Sequence, residues 1–323
     1  MRFVWLLLLL PACHLFRAAE PQMPELSAGI HDGSLLADGL TRRYQLYVPH
    51  ERVEHPPLLV LLHGSRMTGA GLRRATGYAF DRLADEQGFV AVYPDGYKGR
   101  WNDCRAGGRY AARKLQLDDV GFVMRLADAL QASAKIDPAR VFLAGYSGGG
   151  QLAFRVALER PERVAGIAAF SASLPTEHNW ACEVAGKPVP TLLINGTRDR
   201  INPYAGGRTS VFGFATRGHV RSSRESAEFF AKLAGTEQFR RMRLGVSADT
   251  WIEQWRAQGT AEVVLLAVHG GGHVVPGPSA AFPRILGKVS AVLDGPREVW
   301  NFFARQPSRP QAGAGISIHS PRP

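Results

Sequence analysis

The chain has 323 residues, 45% hydrophobic and 21% charged, which excludes disorder of the whole chain; a long apolar run occurs only in its first segment, which excludes a multispan membrane protein. Three cysteines and 35 glycines without a period exclude disulfide-dense and collagen-like classes. Lys and Arg exceed Asp and Glu by 39 to 28, a net charge of +11, but no dense basic block or nucleic-acid motif accompanies the excess; it reads as a solvated surface, and no nucleic-acid partner is expected.

Met1-Arg2 followed by the apolar run Phe3 to Leu10 has the pattern of a secretory signal, too short to span a bilayer. Leu10-Pro11-Ala12-Cys13 resembles a bacterial lipobox that would place a lipid anchor on Cys13; cleavage near Ala18-Ala19 is the alternative. Both predict export: periplasmic, secreted or lipid-anchored to the cell envelope. In such an oxidising compartment Cys104 and Cys182 would form one disulfide or remain two buried thiols.

Residues 20–40 read as an irregular lead-in, and residues 43–49 as an early antiparallel strand. Short apolar runs at 58–62, 88–93, 141–144, 164–170, 191–194 and 262–268 predict strands covered on both faces. Helical stripes alternate with them at 71–86, 119–134, 149–160 and 223–233, and a closing helix is expected at 295–305. This alternation predicts an α/β fold, a mostly parallel doubly wound sheet with helices on both faces. One catalytic domain over 20–306 is expected, preceded by a signal at 1–19, elaborated at 204–260, and followed by a Pro-, Gly- and Ser-rich disordered tail at 307–323.

Gly145-Tyr146-Ser147-Gly148-Gly149 fits G-x-S-x-G between a predicted strand and a predicted helix. Small residues let the backbone turn sharply and expose the Ser147 hydroxyl beside a helix N-terminus. A serine needs a base. Asp199 follows the strand at 191–194, and His273 lies in the glycine-rich loop after the last strong strand, which completes the chain order Ser, Asp, His. His269, at the strand end, is expected to pack or to support the site residues from behind. The backbone N–H groups of Gly148 and of Ser65, in Leu62-His63-Gly64-Ser65, are the candidate oxyanion donors, with His63 supporting the loop. Trp101, Tyr146 and Tyr204 are candidate substrate contacts, Trp101 being equally readable as a loop anchor; Asp119 would cap a helix or hold the Trp101 loop.

Further segments carry a resemblance: Pro94-Asp95-Gly96, Trp101-Asn102-Asp103-Cys104, Asp118-Asp119-Val120-Gly121-Phe122, Asn195-Gly196-Thr197-Arg198-Asp199 and Gly270-Gly271-Gly272-His273 with Pro276-Gly277. Together with the elbow they resemble the polyhydroxybutyrate depolymerase-type esterases, a family of α/β-hydrolases that includes feruloyl and acetylxylan esterases. The resemblance runs from about Arg43 to Arg305 and implies Ser147 as nucleophile, Asp199 as acid and His273 as base. It implies an ester as substrate, small molecule or oligomer, and neither metal nor cofactor. The chain departs from the family at Tyr146 and Gly148-Gly149-Gly150, where relatives often carry Met and Asn-Gly-Gly, and at Val274-Val275, where they often carry Thr-Trp. An acyltransferase using the same triad, a peptidase, and a non-catalytic surface-binding module are the competing readings.

Overall fold

The computed structural model describes residues 26–309 except 52, 212, 214, 237, 244–249 and 257–259. The signal, Cys13 and all but the first three residues of the expected tail therefore lie outside the described residues. The last of those three is held: Arg309 N donates to Ala139 O and Arg309 Nη2 to Pro138 O.

In chain order the elements are β1 Gly29–Ala37, β2 Leu40–Val48, β3 Leu58–Leu62, α1 Gly69–Ala75, α2 Ala79–Gln87, β4 Val90–Pro94, α3 Ala111–Lys114 and α4 Asp119–Ala134. There follow β5 Val141–Tyr146, α5 Gly148–Glu159, β6 Gly166–Phe170, β7 Thr191–Gly196, β8 Gly207–Arg208, β9 His219–Val220 and α6 Ser223–Leu233. Then come β10 Phe239–Arg243, β11 Thr250–Trp255, β12 Val263–Val268 and α7 Gly295–Ala304.

Ten strands form one sheet in the order β1-β2-β4-β3-β5-β6-β7-β12-β11-β10, while β8 and β9 pair separately. The six strands from β4 to β12 run parallel, and an antiparallel pair extends each edge. Because side chains alternate along a strand, β3 sends Leu58, Val60 and Leu62 to one face and Leu59 and Leu61 to the other. The first face packs under α4, α5 and α6 through Leu126, Phe154 and Phe230. The second packs under α1, α2 and α7 through Leu72, Phe80 and Phe302. Each such burial contributes about 1.5–3 kcal/mol, so a strand covered on both sides must be apolar throughout, as β3 and β12 are.

Helices α4 and α6 coincide with the expected spans, and α6 starts with a capping box between Ser222 and Glu225. The stripe at 71–86 is two helices, broken where Gly77 and Tyr78 take positive φ. Within the expected irregular lead-in, residues 29–37 form a strand: β1 pairs along its whole length with β2. Its Gly, Asp and Ser residues lack strand propensity, and the ladder to β2 sets the conformation. Residues 204–260 supply the hairpin β10-β11 besides α6. All five residues of β10 are exposed, and its three arginines charge that free edge of the sheet.

Candidate active site

Strand β5 enters the turn at Tyr146, and α5 begins at Gly148. Ser147 sits between them at φ 52°, ψ −110°, a conformation that costs a non-glycine residue about 1–3 kcal/mol and lifts its side chain out of the turn. The flanking glycines are steric necessities. A Cβ on Gly145 would lie within van der Waals overlap of Gly149 O, and one on Gly149 would meet Leu62 O in the same way.

Ser147 Oγ is 2.8 Å from His273 Nε2, and His273 Nδ1 is 2.6 Å from Asp199 Oδ2. Ser147, His273 and Asp199 are 8%, 4% and 6% exposed, so the chain of contacts is shielded from bulk water. Asp199 Oδ1 accepts from the backbone N–H groups of Ile201 and Asn202, both at 2.8 Å. A carboxylate only accepts, so Nδ1 carries the proton and Nε2 is left to accept from the Ser147 hydroxyl.

The three side chains come from neighbouring strand ends. Gly196 ends β7 opposite Val268, which ends β12, so the Asp199 and His273 loops leave the sheet side by side. Arg198 N donates to Gly271 O, and Gly270 N donates to Thr197 Oγ1. The histidine loop is held from its other side by His273 N to Leu286 O and Gly272 N to Lys288 O. His269, expected to pack, is instead exposed in the turn after β12.

Ser65 and Gly148 are adjacent: a Cβ on Gly148 would stand 2.9 Å from Ser65 Oγ and 3.5 Å from Ser65 N. The Ser65 N–H has no acceptor among the described residues, and the Gly148 N–H opens α5, where the helical ladder offers it none. Two backbone donors without acceptors therefore lie on adjacent residues next to Ser147.

Beneath this loop lies His63. Its Nδ1–H donates to Gly64 O at 2.7 Å, and its Nε2 accepts from Gly96 N at 2.8 Å, which fixes the neutral tautomer. Burial pushes its pKa down to about 4, against a smaller upward pull from the Gly64 carbonyl.

The expected substrate contacts need correction. Trp101 is 1% exposed; its indole N–H donates to His63 O and its ring lies against the His63 imidazole, so it anchors the Ser65 loop and presents no face to a ligand. Its own loop is fixed by Asp119, which accepts from Asn102 N and Arg42 Nη2 at 2.6 Å each. Tyr146 is 4% exposed and spends its hydroxyl on His273 O, so it braces the site from behind. Tyr204 is half-buried and packs on the core near α6, away from the lining of the Ser147 cavity.

That lining includes side chains not anticipated from the sequence. Arg105, Arg217, Gln151, Asn202 and Thr209 line, with Ser147 and His273, a narrow cleft. Arg105 forms a paired contact to Asp103 through Nε and Nη2, and Tyr110 donates to the same carboxylate. Cys104, between these two, forms a disulfide with Cys182, Cα to Cα 5.0 Å. Ala181 N to Cys104 O and Ala106 N to Asn179 O fasten the same two segments. Among the described residues no cluster of His, Cys, Asp or Glu is suited to a metal ion, and no helix is long and apolar enough to cross a membrane.

A family model described as "Esterase PHB depolymerase" matches residues 42–185. The putative esterase NocK of Nocardia uniformis is 29% identical over 272 residues, 79% of this chain and 77% of that protein. Feruloyl esterase D of Neurospora crassa is 26% identical over 321 residues, 93% of this chain and 96% of its own. An acetyl xylan esterase from Aspergillus awamori has the same fold, with a TM-score of 0.58 at 15% identity, over 76% of this chain and 95% of that one. Elbow, sheet order and sequence relatives agree: the chain is a carboxylic ester hydrolase of the α/β-hydrolase fold, similar to the polyhydroxybutyrate depolymerase-type and feruloyl esterases.

Proposed function

We propose that this chain is an exported serine esterase. Its catalytic domain spans residues 20–306, and its substrates are esters of the 3-hydroxybutyrate oligomer, hydroxycinnamoyl or acetyl type. The observation that carries this reading is the unbroken line from Ser147 Oγ through the His273 imidazole to Asp199. Ser147 attacks the ester carbonyl as His273 Nε2 takes its proton. Asp199 stabilises the imidazolium and holds it in register. The N–H groups of Ser65 and Gly148 receive the negative charge that develops on the carbonyl oxygen. His273 returns the proton to the leaving alcohol, then activates water to release the acid and free Ser147. Metal and cofactor have no role in this sequence.

Ser147→Ala is expected to abolish turnover of a short p-nitrophenyl ester and labelling by a fluorophosphonate, with the circular dichroism spectrum unchanged. Retained turnover in that folded variant would overturn the assignment. Product analysis with an added alcohol acceptor distinguishes hydrolysis from acyl transfer. The export reading rests on residues 1–19 and is tested by the N-terminal sequence of the mature protein.

A further inference from the structure

Arg217 is 6% exposed and lines the same cavity as Ser147 and His273, yet its guanidinium makes no hydrogen bond and no ion pair among the described residues. Its nitrogens are not sealed off but open on the cleft, where they are donors with no acceptor among the described residues and are free to meet an anion. The nearest carboxylate does not pair it. Asp103 already accepts from Arg105 Nε, Nη2 and backbone N and from Tyr110, and it balances Arg105. Arg105, Arg100 and Arg217 thus share one neighbouring carboxylate. Burial and the charges of Arg105 and Arg100 lower the Arg217 pKa to about 10, so it remains a cation at neutral pH.

The backbone that carries it is held in place. Arg217 N donates to Thr209 O, and Arg217 O accepts from Asn179 Nδ2. Asn179 lies three residues before Cys182, so the disulfide-bonded segment holds the Arg217 strap. A planar guanidinium carried on a fixed backbone can grip a carboxylate through two parallel N–H groups.

We propose that Arg217 is a specificity residue that binds a carboxylate carried by the substrate, so that the preferred esters are monoanions with a free acid near the scissile bond. This rests on the ester-hydrolase reading of Ser147. The carboxylate belongs either to the acyl part, as in a hemiester of a dicarboxylic acid, or to the alcohol part, as in an acylated 3-hydroxy acid.

The test compares kcat/KM for p-nitrophenyl hemiglutarate with that for p-nitrophenyl butyrate, and for 3-butyryloxybutanoate with that for its methyl ester. Wild type, Arg217→Met and Arg217→Lys are measured, the second pair by proton release. Wild type is expected to favour the anion in at least one pair, which also tells which side of the ester carries the acid. Arg217→Met is expected to reduce that anion-to-neutral ratio by about tenfold to a hundredfold, the range of a charge-assisted contact, and Arg217→Lys by less. A wild-type preference for the neutral ester in both pairs, or a ratio unmoved by Arg217→Met, overturns the proposal. Should Arg217→Met fail to fold, the wild-type ratios and Arg217→Lys still decide it. Neutral esters turned over by wild type and not by Ser147→Ala keep the Ser147 reading intact even when this proposal fails.

Discussion

The hydroxyl of Tyr146 donates a 2.7 Å hydrogen bond to the backbone carbonyl of His273, joining the residue before the nucleophile directly to the residue that acts on it. The ring of Tyr146 also lies 5.4 Å from the imidazole and 5.2 Å from Phe282, so elbow and histidine loop move as one piece. Its phenol is held neutral: burial pushes the pKa well up, and the Asp199 charge adds to that.

Tyr146→Phe leaves the His273 carbonyl without this donor while preserving the ring. Stability is expected to fall by about 1–2 kcal/mol. Turnover should drop by about three- to tenfold with little change in KM, because the loss acts through the position of His273. Denaturant titration and steady-state kinetics check both, and a change confined to KM would return Tyr146 to a substrate-contacting role.

His63 makes folding sensitive to acid. An unfolded imidazole takes up a proton near its ordinary value of 6.5, whereas the buried one resists until about 4. Between those values the unfolded state binds more protons. The contribution is therefore fully present above about pH 6.5 and declines as pH falls toward 4, by about 3 kcal/mol in total. Urea midpoints of wild type and His63→Gln across this window measure it, and the slope with pH is expected to be shallower in the variant. Equal slopes would mean that His63 titrates alike in both states.

The Cys104–Cys182 bond closes a loop with a sequence separation of 78 residues. Breaking it with Cys104→Ser and Cys182→Ser is expected to cost about 2–4 kcal/mol through the freedom returned to the unfolded chain. It should also loosen Arg105 at the cavity, raising KM more than it lowers kcat. Denaturation of the oxidised and reduced protein, with KM measured in both forms, is the check.

The parts of the site legible in the sequence are those whose geometry demands particular residues. The elbow was readable because Gly145 and Gly149 have no room for a Cβ. His273 was separable from His269 because the glycine-rich loop, and not the strand end, reaches back over Ser147. Where contact rather than backbone shape decides, the sequence was silent. Trp101 has the same aromatic character whether it lines a cavity or supports a loop, and only its bond to His63 O distinguishes them. Arg217 carries no local signal, since its backbone partners Thr209 and Asn179 lie 8 and 38 residues before it and only the fold brings them together. Strand β1 carries no signal of its own for a related reason: its neighbour, not its composition, makes it extended.

Ser147 and His273 are 126 residues apart, and the sheet between them is assembled from parallel strands whose pairings are all non-local. Such topologies close slowly, because long loops must be ordered before their contacts can reward it. No contiguous fragment short of this span contains both groups. During refolding, the return of reactivity at Ser147 therefore reports the docking of the final parallel strand and its loop, later than any signal from the helices.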